Sequence, residues 1–206
     1  MQITITSEMK RFLANDEIID MINDNDFDSV YNEWNKVKGD RYISDLTKIL
    51  CVSGIDILPK MSRIPPECFA YMSIKSIDIP NNIEDIDERA FFDCKKLTSI
   101  NLSNSLRSIV AKTFFNCESL TNIIIPEGVL FIGREAFANS GLTSITIPSS
   151  CSVISQYAFL NCTSLRKITY IGTKDKFNRI FRHSDFYDEI KQNKIVIECS
   201  DGKINF

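Results

Sequence analysis

A phenylalanine recurs every 22 or 23 residues through the middle of this 206-residue chain. Its five copies are Phe69, Phe91, Phe114, Phe137 and Phe159. Four columns of apolar residues repeat in step with it, and their first members are Ile64, Ile74, Ile77 and Ile79. Self-similarity at a fixed period of this length is typical of a solenoid, in which each repeat forms a coil stacked on the next. We therefore expect the phenylalanines to form a buried spine and the coils to display a surface.

The second repeat shows how one coil is expected to be built. Ile100 and Leu102 are two residues apart, so in a strand both side chains point inward. Ser99 and Asn101 alternate with them and point outward. Residues 88–92 contain alanine and phenylalanine and predict one or two turns of helix or 3₁₀ helix. Parallel strands joined by such connections form a right-handed coil.

Two further columns follow the phenylalanine. The first, two residues later, is Tyr71, Asp93, Asn116, Asn139 and Asn161. Because Asp and Asn hydrogen-bond nearby backbone and tolerate tight turns, this column predicts a turn in each coil. The second, three residues later, includes Cys94, Cys117, Ser140 and Cys162. Free cysteine is among the most buried residue types, so these thiols are predicted to be reduced and in the core.

The period divides the chain into three parts. Residues 1–61 lie outside it, and capping residues such as Ser7, Asn15 and Asp26 predict a small helical N-terminal cap. Residues 62–171 hold the five repeats of 22 to 23 residues. Residues 172–206 are predicted to form a C-terminal cap. In that cap we expect a helix over 176–182, a strand over 195–199 that continues the sheet by one strand, and a tight turn at 201–202.

Composition and charge exclude several classes of function. The formal net charge of -3 gives no reason to expect nucleic acid or an anionic membrane as the main partner. The hydrophobic fraction of 44% is enough for a core. The N-terminal sequence shows neither a secretory signal nor a transmembrane segment, which predicts a cytoplasmic protein.

The residue types that chemistry requires do not converge. The single histidine, His183, cannot support a two-histidine metal site, and its neighbours Ser184 and Asp185 are too close in sequence to form a triad with it. The seven glycines form no phosphate-binding motif. Residues 24–28 imitate the start of a calcium loop but lack its glycine. We therefore expect no enzyme activity, no cofactor and no metal.

The coil pattern I-x-x-x-A-F-x-x-C-x-x-L-x-x-I-x-I-P resembles the bacterial surface antigen (BspA-like) class of leucine-rich repeats. The best matches are residues 86–102, 109–126, 132–148 and 154–170, with 64–80 as a weaker first copy. Residues 170–174 and 199–202 are similar to the segment that closes such repeats. The resemblance implies an α/β solenoid with a short parallel sheet, used for adhesion or protein binding and often found on cell surfaces. Short intracellular or phage-type members carry a helical N-terminal cap.

The first hypothesis is a non-catalytic module that binds an unidentified protein through the outward strand positions. These positions are Ser76, Asp78, Ser99, Asn101, Asn122, Ile124, Ser144, Thr146, Lys167 and Thr169. Five strands spaced about 4.8 Å apart form a sheet about 20 Å wide, which suits a loop, an edge or a small domain. A polar sheet face also needs no partner to be stable, so mere solvation of these residues is the alternative.

Two other hypotheses use the ends of the chain, and a third depends on export. An acidic surface on the N-terminal cap would let a phage-type protein inhibit a host enzyme by imitating nucleic acid. Its residues are Asp16, Glu17, Asp20, Asp24, Asp26, Asp28 and Glu33. A basic cluster in the C-terminal cap, Lys174, Lys176, Arg179 and Arg182, is a weaker candidate for nucleic-acid contact. If the chain is exported, it is expected to be a surface adhesin.

Overall fold

Five coils stacked along one axis make up most of the computed structural model, which describes residues 62–182 and 184–206. The predicted helical cap over 1–61 lies outside the described residues, and so do the seven acidic residues from Asp16 to Glu33 and His183. Two rows of short strands run through the coils, each row made of parallel strands from successive repeats.

The first row carries the outward positions that the sequence singles out. Its strands are β2 (Ser76–Asp78), β4 (Ser99–Asn101), β6 (Asn122–Ile124), β8 (Ser144–Ile147) and β10 (Lys167–Tyr170). The isoleucine column pairs with itself, as in Ile77 with Ile100 and Ile145 with Ile168. A one-residue shift would turn this column toward solvent, so burial of the isoleucines fixes the register. The row is divided, because β4 and β6 lie side by side without forming a hydrogen-bonded ladder.

A second row of two-residue strands holds the column that begins at Ile64. These strands are β1 (Arg63–Ile64), β3 (Asp85–Ile86), β5 (Ser108–Ile109), β7 (Phe131–Ile132) and β9 (Val153–Ile154). In each strand the isoleucine is buried and the preceding residue lies outside the core. The sequence identifies this column as apolar but does not reveal the strands, since two residues are too few to show an alternating pattern.

The segment between the two rows is a series of turns, so the prediction of a short helix over 88–92 is wrong. Arg89 and Asp93 adopt φ angles of 59° and 57°, in the left-handed region, and the other coils repeat both conformations. A residue in this conformation interrupts a right-handed helix. Alternate N–H groups bond to the next coil, as Phe91 does to the carbonyl of Thr113 at 3.0 Å, while those of Ala90 and Phe92 form isolated turns within the segment.

The phenylalanine spine is confirmed and is continuous. Neighbouring rings from Phe69 to Phe159 stack with centroids 5.1 to 5.6 Å apart and planes within 11° of parallel. All five side chains are at most 3% exposed. Aromatic pairs at this spacing contribute about 0.5–1.5 kcal/mol beyond the burial of their area.

The cysteine column also lies in the core, as predicted. The six cysteines among the described residues are free, and five of them are buried. The thiols of Cys94 and Cys162 each donate to a carbonyl of the preceding coil at 3.0 Å, those of Phe69 and Phe137. A small side chain is needed here because the backbone of the adjacent coil approaches closely.

The C-terminal cap contains two helices and two strands. They are α1 (Lys174–Phe181), α2 (Asp185–Gln192), β11 (Val196–Cys199) and β12 (Gly202–Ile204). The sequence predicts α1, β11 and the turn before β12 but misses α2, which Ser184 caps. The sheet continues by two strands where one is expected, since β11 pairs in parallel with β10 and β12 returns antiparallel. The ring of Phe186 in α2 packs on that of Phe159, with 5.7 Å between the ring centroids, and thereby covers the end of the spine.

Candidate functional site

The ten outward strand positions lie together on the first row, and we call this surface the strand face. Residues of successive coils stand opposite each other in two lines along the solenoid. The first line joins Ser76 to Ser99, and Asn122 to Ser144 and Lys167. The second line joins Asp78 to Asn101, and Ile124 to Thr146 and Thr169. Backbone pairing therefore holds these side chains at a regular spacing within two groups, one on β2 and β4 and the other on β6, β8 and β10.

Ile124 is the apolar centre of the strand face. Its side chain is 69% exposed, the highest value among the large exposed hydrophobic residues of the described chain. Its neighbours across and along the strands, Thr146 and Asn122, are polar. A single apolar side chain surrounded by small polar ones leaves room for a partner to approach the sheet closely.

The N-terminal end of the strand face carries a fixed polar pair. The amide of Asn101 donates to the carboxylate of Asp78 at 2.6 Å, directly across the β2–β4 ladder. This bond uses one acceptor position of the Asp78 carboxylate, while both side chains are exposed. The pair therefore presents an ordered acceptor edge to solvent.

The C-terminal end of the strand face includes residues that the sequence analysis missed. Glu198 of β11 stands opposite Thr169 and accepts from Lys203 Nζ at 2.9 Å and Lys167 Nζ at 3.3 Å. Hydrogen bonds from Lys203 and then Lys167 hold the pKa of Glu198 below its usual value. The alternation in the predicted strand over 195–199 was a signal that could have placed Val196 and Glu198 on this surface.

The buried thiols lack the properties of nucleophiles. Burial raises the pKa of the Cys151 thiol to about 12 and raises that of Cys117 well above its usual value. Both groups are therefore protonated at neutral pH, whereas the thiolate is the reactive species. Within residues 62–182 and 184–206, no three His, Cys, Asp or Glu side chains converge as metal ligands.

The basic cluster of the C-terminal cap lies on α1 and on Arg182, the residue that caps its C-terminus. Arg179 and Arg182 are exposed, and Lys176 precedes them at the same three-residue spacing. The Lys174 ammonium lies near Gly202, 3.2 Å from where a Cβ would stand. The cluster and the strand face thus lie on different secondary-structure elements. Asp175 in the first turn of α1 reduces the net charge of the cluster.

None of the helices in the described part of the chain has the length and apolar character that crossing a bilayer requires.

Sequence comparison relates the repeats to a known family. Residues 52–198 match the BspA type leucine rich repeat region, with six copies. The match extends beyond both ends of the five repeats and includes β11, which adds a sixth parallel strand to the first row. No curated protein matches the chain.

Three solved structures of bacterial proteins resemble this one. A leucine rich cell surface protein from Faecalibacterium prausnitzii A2-165 is 35% identical with a TM-score of 0.55, over 59% of this chain and 32% of that one. A leucine-rich repeat protein from Bacteroides ovatus ATCC 8483 is also 35% identical, with a TM-score of 0.51 over 52% and 28%. The leucine rich repeat protein of T. pallidum is 28% identical, with a TM-score of 0.51 over 53% and 52%. The chain thus spans about a third of the first two structures and half of the third.

Proposed function

This chain belongs to the BspA type leucine rich repeat family, and we propose that it is a non-catalytic module that binds a partner protein through the strand face. The observation that carries the proposal is the exposure of Ile124, 69% in the middle of a polar surface. Interfaces commonly place an apolar residue at the centre and polar residues around it. Asn101, Asn122 and Thr146 occupy the surrounding positions here.

The charged groups at the two ends of the strand face give a partner one preferred orientation. Asp78 lies at the N-terminal end, and the Lys167–Glu198–Lys203 group lies at the C-terminal end. Charges at the edge of an interface chiefly set register and the rate of association. With β11 and β12 the first row has seven strands in two sheets. Seven strands at the usual spacing span about 30 Å, which is the width of a small domain.

Surface adhesion is the second candidate, and one comparison favours it. The similar protein from Faecalibacterium prausnitzii is described as a cell surface protein. In an adhesin the strand face would bind a host or bacterial surface protein by the same contacts, so the two candidates differ in compartment and partner. The cytoplasmic location indicated by the N-terminal sequence stays a prediction, as does inhibition of a host enzyme through the acidic residues from Asp16 to Glu33.

The test needs a verified partner and a pair of matched variants. Affinity capture from the source organism identifies partners, and calorimetry with the purified partner then measures affinity. Ile124→Asp should weaken binding at least about tenfold, because it places a charge at the centre of the interface. Adding Asn101→Lys and Asn122→Lys should abolish binding.

Leu130→Asp is the matched control. Leu130 is also an exposed aliphatic residue, 53% exposed, but it precedes β7 in the second row. All variants should unfold at the same temperature as the parent protein, since each side chain lies outside the core. Equal affinity of the triple variant and the parent for a verified partner would exclude the strand face as the binding surface.

A further inference from the structure

The turn segments of successive coils are joined by a ladder in which each coil donates to the coil that follows. At the spine position, Phe91, Phe114 and Phe137 donate their backbone N–H to the next coil at 2.8 to 3.0 Å. Two residues later, Asp93, Asn116 and Asn139 do the same at 2.8 to 2.9 Å. The acceptors of each pair of bonds are two residues apart, as Ala158 and Leu160 are for Phe137 and Asn139.

This ladder has no successor after the last coil. Phe159 and Asn161 occupy the two donor positions, yet within the described residues neither N–H has a hydrogen-bond acceptor. Helix α2 packs against the ring of Phe159 through Phe186 but supplies no carbonyl to the segment. Since nearly all backbone donors in folded proteins are paired, two donors in line at a ladder end are available for an acceptor from outside.

A groove of about 470 Å³ lies directly beside these donors. The turn segment of the last coil forms one wall and α2 forms the other. Its apolar lining consists of Phe159, Leu165, Ile190 and Ile195, which are buried, and of Tyr157 and Leu160, which are 43% and 39% exposed. Backbone donors along one edge of an apolar groove are the features of sites that bind extended peptides by strand addition.

The charged residues that line the groove are all acidic. Asp185, Asp188 and Glu189 line it from α2, and none of the lining residues in the described chain is Lys or Arg. Glu189 is half-buried, and its carboxyl has no hydrogen bond or ion pair within the described chain. Burial raises the pKa of Glu189, because no cation offsets the loss of water. An incoming cationic side chain would restore a partner to this group.

We propose that the groove between the last coil and α2 binds an extended segment of a partner protein that carries a lysine or an arginine. Two carbonyls of the segment, two residues apart, accept from the N–H groups of Phe159 and Asn161. The segment thereby takes the place of a next coil, and its basic side chain pairs with Glu189. The site is independent of the strand face, because the strand face lies on the first row of strands and the groove lies at the turn segment of the last coil.

Amide hydrogen exchange and a model peptide test the proposal on the full chain. In the free protein, the amides of Phe159 and Asn161 should exchange at least about 100-fold faster than those of Phe137 and Asn139, because only the latter are bonded. Acetylated and amidated Ala-Lys-Ala-Lys-Ala should slow exchange at Phe159 and Asn161 and shift the NMR signals of residues 157–163 and 185–195. The same peptide with glutamine in place of lysine should bind at least about tenfold more weakly.

Variants distinguish binding of the peptide in the groove from non-specific attraction of a cationic peptide to an acidic protein. Glu189→Gln should weaken the lysine peptide about tenfold, whereas Glu84→Gln, at an exposed glutamate of the second coil, should leave it unchanged. Ile124→Asp should also leave it unchanged, which distinguishes failure of this site from failure of the strand face. Equal binding of the lysine and glutamine peptides would overturn the proposal.

Protection in the free protein would also overturn it. If Phe159 and Asn161 exchange as slowly as Phe137 at every protein concentration, a part of this chain already fills the groove. If their protection grows with protein concentration together with the mass in solution, a second copy of the chain is the occupant.

Discussion

Lys167 of the last repeat strand and Glu198 of the first cap strand form an ion pair across the parallel ladder, with 3.3 Å between Nζ and Oε2. Lys203 binds the other carboxylate oxygen of Glu198 at 2.9 Å. The cap therefore does more than cover the end of the core, because its strands add charged groups to the strand face. The carboxylate of Glu198 has its position fixed from both sides.

The pKa of Glu198 is expected to depend more on Lys203 than on Lys167. The hydrogen bond from Lys203, at 2.9 Å against 3.3 Å for Lys167, is the largest single cause of the lowering of this pKa. Lys203→Gln should therefore raise the pKa of Glu198 further than Lys167→Gln does, as followed by NMR titration of the side-chain carboxyl. A lowered pKa means that any stabilisation from this group is present above the ordinary pKa of glutamate and is lost as pH falls through the lowered value. A larger response to Lys167→Gln would contradict the assignment.

The stacked spine is expected to dominate the stability of the repeats. Phe114 is fully buried and stacks on both neighbours, at 5.3 and 5.4 Å. Phe114→Ala should lower the free energy of unfolding by about 3–5 kcal/mol, the usual cost of such a cavity. The adjacent Phe115 is only half-buried and stacks on Phe92 alone, so Phe115→Ala should cost clearly less. Urea unfolding of the two variants measures the difference, and equal losses would argue against a central role of the spine.

The left-handed turn at Asn139 is expected to require its side chain for two reasons. Asn139 has a φ of 57°, and its side-chain oxygen accepts from Asn161 Nδ2 at 2.9 Å. Asn139→Ala loses both the tolerance for this conformation and the hydrogen bond, at a cost of about 1–2 kcal/mol. Asn139→Gly loses only the bond, so urea unfolding should show it to be the milder change. A glycine variant as unstable as the alanine variant would show that the left-handed conformation adds nothing to the cost of losing Asn139.

The six described cysteines are expected to differ sharply in reactivity. Burial raises the pKa of Cys151 to about 12, and Cys199 is the one described cysteine that is not buried. At pH 8, iodoacetamide should therefore modify Cys199 before Cys68, Cys94, Cys117, Cys151 or Cys162, as read by peptide mass spectrometry. Unfolding in urea should make all of them react at similar rates. Early modification of Cys151 in the native protein would contradict its burial.

The repeats could be predicted from the sequence because their period reports the core directly. The phenylalanine column is buried in every coil, and the Ile100 column is buried in all coils but the first, where Ile77 is half-buried. Alternation of buried and exposed residues along each strand then determines which side chains face outward. The ten residues of the strand face follow from the same rule. The sequence also predicts β11, whereas β12 and the pairing of Lys203 with Glu198 required the structure.

Other features depend on contacts between coils, which single repeats do not reveal. Arg89 and Lys112 adopt left-handed conformations although their side chains have no preference for them, because the next coil accepts their N–H groups. Helix α2 has eight residues, and the pair Phe186 and Ile190 is too short an apolar pattern to predict it. The groove exists because the turn ladder ends at Phe159, and a ladder end is a property of the assembled solenoid.

The half-buried carboxyl of Glu189 is expected to lower the stability of the free protein at neutral pH. Burial raises its pKa, so at low pH the group is protonated in both folded and unfolded states and costs nothing. As pH rises through the raised pKa, the folded protein must hold a partly desolvated charge and loses stability relative to the unfolded chain. Glu189→Gln should therefore raise the unfolding temperature at pH 7, and the gain should disappear below about pH 4, where glutamate is protonated in both states. Glu84→Gln, at an exposed site, supplies the control for removal of one negative charge. The carboxylate that weakens the free protein is the one that a lysine would pair with. At pH 7 the lysine peptide should therefore stabilise the parent protein more than it stabilises the Glu189→Gln variant. Equal stabilisation of both proteins by the peptide would show that the Glu189 carboxylate takes no part in binding it.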